Sequence, residues 1–157
     1  MNIVQTVQLS RPSRRIAGLL LLALVTVEFG GYFLVRVASG GEQLTDFQVA
    51  FARAGHAHAG VLIVLSLVCL ILADATELRG AMGYLVRLAI PAAAILMSAG
   101  FFLSSAGEGL TEPNGLIVVL WLGAAALTVG VVGLGVALLS GLRRGSGMPA
   151  ARADTAP

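Results

Sequence analysis

The chain contains no lysine: its ten basic residues are all arginine. Charged residues of both signs together make up only 11% of it, less than half the share in an ordinary soluble domain. That scarcity excludes a solvated globular surface. The net charge of +2 and the 6% aromatic content leave no basic, aromatic-interleaved surface for base stacking, so no nucleic-acid partner is expected. Cys69 is the single cysteine, which rules out an intrachain disulfide and a multi-cysteine metal site. Histidine occurs twice, at His56 and His58.

What the chain has is apolar length. Hydrophobic residues account for 57% of 157 positions, and the length suits one domain. Four apolar runs stand out, from Ile16 to Val37, Phe47 to Ala73, Ala81 to Leu103 and Gly115 to Leu142. Each can cross a hydrocarbon core of about 30 Å at about 1.5 Å per residue. The first run follows Arg14 and Arg15 in the manner of a signal peptide. The distance to Val37-Ala38-Ser39 is too long for one, and Glu28 interrupts the core, so a retained helix is expected. Short polar links between the runs imply antiparallel neighbours. The expected fold is therefore all-α, a transmembrane up-down four-helix bundle. It divides into a cytoplasmic N-terminal segment (1–15), the transmembrane domain (16–142) and a disordered cytoplasmic tail (143–157).

Arginine placement predicts orientation. Arg11, Arg14, Arg15, Arg79, Arg87, Arg143 and Arg144 all fall at one end, whereas Glu42, Asp46, Glu108 and Glu112 fall in the other two links. By the positive-inside rule, both termini are cytoplasmic in a multi-pass protein of the plasma membrane. The lipid bilayer is the first partner. The glycine-rich faces left over by so small a bundle predict a homo-oligomer. Gly133, Ala137 and Gly141 form an i, i+4 stripe on the fourth helix, expected to be a packing face, and Pro91 is expected to kink the third helix.

Ionisable groups inside a membrane are costly and tend to have a task. His56 and His58 are two residues apart, and so point about 200° from each other on a helix. They cannot chelate one ion, and Cys69 lies about 16 Å further along. A zinc site is poorly supported. A haem needs only one axial histidine. Ala54, Gly55, Ala57, Ala59 and Gly60 are small enough to leave room for a flat macrocycle, or equally for close approach of another helix. Arg53 is one turn before His56, placed either for a propionate or for snorkelling at the interface. Glu28 is expected at a depth similar to that of His58. It could accept a hydrogen bond from an imidazole, sit protonated, or relay protons. Glu28 and His56 are the candidate catalytic groups.

Two patches carry a resemblance. Ala52-Arg53-Ala54 and Ala57-His58-Ala59-Gly60 open the second span, and Gly100-Phe101-Phe102-Leu103-Ser104 closes the third. With four spans, this resembles the styrene oxide isomerase family, distantly related to hydroxylaminobenzene mutases. The resemblance implies haem b with His58 as its axial iron ligand, His56 being the alternative. Arg53, Ala54, Gly55, Ala57 and Gly60 would line the cofactor. It also implies an intramolecular oxidoreductase that opens a small apolar epoxide to an aldehyde. The chain departs from the family at two positions: Phe102 stands where the family has tyrosine, and Val64 where it has asparagine. Neither side chain can hydrogen-bond. The expectation is thus a haem b protein with altered or lost epoxide chemistry. Two other classes remain open on the residues alone: a non-enzymatic structural or assembly subunit, and a small proton-coupled transporter using Glu28.

Overall fold

The computed structural model describes residues 8–76 and 78–145, with side chains to residue 140. Four helices and no strand occur among the described residues: α1 (Arg11–Ala38), α2 (Asp46–Asp74), α3 (Gly80–Ser104) and α4 (Ile117–Gly145). All four are long and apolar enough to cross a membrane.

Local chemistry sets the ends. Ser10 caps α1 by accepting the Ser13 N–H, and Pro12 sits in the first turn, where its missing N–H costs nothing. The helix therefore starts at Arg11, inside the segment 1–15 expected to precede it. Thr45 and Gln48 form a reciprocal capping box at the start of α2. Asn114 delays α4 by two residues relative to the apolar run. Its Oδ1 accepts the Leu116 N–H at 2.9 Å and its carbonyl the Ile117 N–H at 3.1 Å, making a turn before the helix. Residues 143–145, assigned to a disordered tail on sequence, continue the α4 backbone. The remainder of that tail, and residues 1–7 of the N-terminal segment, lie outside the described residues.

Each helix packs chiefly on the next in sequence, and among the described residues α1 does not pack on α4. The closest pair is α3–α4. A Cβ added at Gly123 would come within 2.6 Å of Met97, and one at Gly130 within 2.6 Å of the Ile90 side chain. One at Gly100 would run into the Leu120 backbone. These glycines let the helix backbones touch. Gly133 of the expected stripe also meets α3, its added Cβ lying 3.2 Å from Val86. Pro91 is buried in a helix that continues unbroken past it.

Helix α1 is the lightly held element: only Ser13 and Leu20 are buried along its 28 residues. A polar latch fixes its start. Asp74, at the end of α2, accepts the Ser10 N–H at 2.8 Å and the Ser13 hydroxyl at 3.0 Å. Arg87 of α3 pairs with the same carboxylate at 2.8 Å and donates to the carbonyls of Ala73 and Gly83. At the opposite end, the Gln48 amide donates to the carbonyls of Ser105 at 3.0 Å and Gly107 at 2.7 Å, tying the α3–α4 link to α2.

Candidate functional site

The histidine segment lies in the first half of α2, where that helix passes between α1 and α3. Gln48, Ala52 and Gly55 are the buried positions of that half. Gly55 is buried because the Phe101 and Phe102 side chains of α3 lie over it; an added Cβ would meet the Phe102 ring at 2.9 Å. His56 is one residue further, about 100° round the helix, and so turns toward α1. There the Gly30-Gly31 pair makes room for its ring. A Cβ at Gly30 would lie 3.2 Å from His56 Nδ1, and one at Gly31 3.4 Å from Cε1.

His58 turns the other way. Its ring lies 4.9 Å from that of Phe101, centroid to centroid, and its Nδ1 is 2.8 Å from the Ala54 carbonyl. A carbonyl oxygen can only accept, so the bond requires the proton on Nδ1. In the neutral ring Nε2 then carries a lone pair. Opposed faces for the two histidines, expected from their spacing, are what the helix delivers.

An open groove of about 400 Å³ runs between α1 and α2, lined by Val27, His56, Ala57, Gly60, Val61 and Val64. Its walls are aliphatic except for the imidazole. The residues expected around a cofactor are thus divided. His56, Ala57 and Gly60 share the groove, whereas His58 and Gly55 face α3. Ala54 supplies the carbonyl that holds His58. Arg53 is exposed and forms no ion pair among the described residues. Glu28 is also exposed, and makes no hydrogen bond to either ring among the described residues. Among those residues no cluster of three or more His, Cys, Asp or Glu side chains could hold a bare metal ion.

Several features near the site have no clear precursor in the sequence pattern. Val27 and Val61 line the groove but are ordinary span residues. Phe101 was signalled only by the Gly-Phe-Phe stretch. Ser98, one turn before Phe101, has a buried hydroxyl with no hydrogen-bond partner among the described residues. Trp121 is 64% exposed on α4. Phe102 is partly exposed where it covers Gly55, and Val64 is 56% exposed at the groove.

Comparison with family models, curated proteins and solved structures returns no match to this chain.

Proposed function

We propose that this multi-pass membrane protein binds haem b through a histidine of α2, with His58 as the axial ligand. The bond from His58 Nδ1 to the Ala54 carbonyl carries the reading. It fixes the ring's orientation and tautomer and leaves Nε2 as a lone-pair donor, the usual arrangement of a metal-bound imidazole. Bound haem would supply a Lewis-acidic iron. Around it, this chain's own residues do two things. The Ala54 carbonyl keeps the proton on Nδ1, and Phe101 limits rotation of the imidazole.

Epoxide isomerisation is not part of the proposal. Phe102 and Val64 offer no donor to orient or polarise a substrate oxygen, and Glu28 bonds to neither histidine. Haem binding with altered or lost isomerase chemistry is the reading that these residues support.

A second assignment rests on a different observation. His56 is the one polar side chain of the α1–α2 groove, and Ala57 and Gly60 leave the wall beside it flat. A macrocycle seated there would take His56 as its ligand.

Protein purified in mild detergent and titrated with haemin distinguishes these. His58→Ala is expected to abolish the Soret band and His56→Ala to retain it. The reverse result reassigns the ligand to His56. Folded wild-type protein that develops no Soret band removes the haem reading altogether.

A further inference from the structure

Glu28 and Arg53 are ionisable groups within the spans, and both are exposed on the surface of the single chain. Glu28 lies ten residues from the end of α1 at Ala38, a depth of about 15 Å. Arg53 lies seven residues from the start of α2 at Asp46, a depth of about 10 Å from the same membrane face. Neither forms an ion pair among the described residues; the pairs present are Arg36–Glu42 and Arg87–Asp74. A carboxylate and a guanidinium facing hydrocarbon is an arrangement that membrane proteins avoid. Such groups are turned toward protein, water or each other.

The two charges have opposite sign and belong to one surface. Glu28 stands one turn before Gly31, which lies against the His56 ring, and Arg53 stands one turn before His56 and Ala57, which line the α1–α2 groove. A surface that carries both an acid and a base is complementary to itself. A two-fold axis along the membrane normal keeps every residue at its own depth. It also brings the surface against its copy, so both reciprocal pairs form together. The difference in depth is about one helical turn, within reach of an arginine side chain that snorkels along a helix.

We propose that a second copy of this chain covers the α1–α2 face, with Glu28 of each copy paired to Arg53 of the other inside the membrane. The groove then becomes an enclosed space between two protomers. The proposal does not depend on haem: it stands on exposure, depth and charge.

The test is thiol cross-linking in native membranes. Two differently tagged chains are co-expressed on a Cys69→Ser background, one carrying Glu28→Cys and the other Arg53→Cys, and treated with a bifunctional thiol reagent long enough to span an arginine–glutamate pair. The expected result is a cross-linked product carrying both tags. Absence of that product, with both chains helical and inserted, overturns the proposal. Oligomer mass in detergent supplies the second arm. Arg53→Glu, which sets acid against acid, is expected to weaken association about a hundredfold, and adding Glu28→Arg to restore it. Wild-type protein that is monomeric in bilayers, or a charge-swapped double variant that stays dissociated, overturns it as well. Glu28→Ala keeps the test independent of folding, because removing the acid is expected to leave the isolated protomer folded while weakening the dimer.

Discussion

The α3–α4 pair and the α1–α2 pair use the same small and branched apolar residues, and they pack by opposite means. In α3–α4, Gly100, Gly123 and Gly130 sit where no Cβ fits, so backbone meets side chain directly over the length of both helices. In α1–α2, glycine faces an imidazole instead of a helix, and a groove opens beside it. Within a membrane there is little hydrophobic drive between helices, so closeness of packing decides which pairs are fixed. Helices α3 and α4 form the anchor. Helix α1 is held at its start by hydrogen bonds, through its middle by Leu20 and its neighbours in the core, and further along by the His56 ring lying over two glycines. The candidate chemistry gathers on α2, at the seam between the fixed and the lightly held parts.

The largest effect that would break this contrast belongs to the latch. Asp74→Ala strands the Arg87 guanidinium, whose side chain is only 12% exposed, and removes two bonds to the start of α1. A loss of about 3–5 kcal/mol is expected in mixed-micelle unfolding, with far less for Asp74→Leu combined with Arg87→Met. A single variant within 1 kcal/mol of wild type, on the order of a surface change, would mean that α1 is secured elsewhere. Next comes the anchor itself. Gly123→Ala forces Met97 aside and is expected to cost about 1–3 kcal/mol in the same assay. Gly18→Ala on α1, where an added Cβ meets nothing within 4 Å, should stabilise by about 0.5–1 kcal/mol. Equal responses at the two sites would erase the distinction between the pairs. The smallest effect sharpens it. Gly30→Ala gains the same helix propensity as Gly18→Ala but presses on His56 Nδ1. The difference between them is expected to stay below about 1 kcal/mol and to shift the imidazole resonances of His56 without moving those of His58.

The four spans, their alternation and the opposed histidines could be read directly from the chain, because each follows from length or helical period. The run from Phe47 to Ala73 became α2 almost residue for residue. Relations between helices were harder, since register along a neighbour is not a property of one segment. Asp74 read as a link residue and Arg87 as an orientation signal. Their pairing depends on how the connection over residues 75–79 sets α3 against α2, and Ser13 joins them from 61 positions away. The α4 stripe was legible as a face, because Gly133, Ala137 and Gly141 share one side of the helix with Gly123 and Gly130. Which helix that face meets was not, and Gly123, Gly130 and Gly133 all lie against α3. Which histidine lines the groove depended on Gly30 and Gly31, whose part in making room for His56 the span composition conceals.

Gln48 leaves the protein with a chemical vulnerability. It is 6% exposed, and its amide nitrogen serves two carbonyls while its oxygen takes the Thr45 N–H. Hydrolysis of that amide to a carboxylate, an ordinary lesion of protein ageing, alters the volume of the side chain very little. It would nevertheless replace two donated protons with an anionic oxygen aimed at two carbonyl dipoles. The helices would keep their lengths and caps, and the α3–α4 link would lose both amide bonds to α2 while keeping the one from the Thr45 hydroxyl to the Leu110 carbonyl. Ageing would thus loosen the bundle at the end opposite the Asp74 latch, without a change of sequence in the gene.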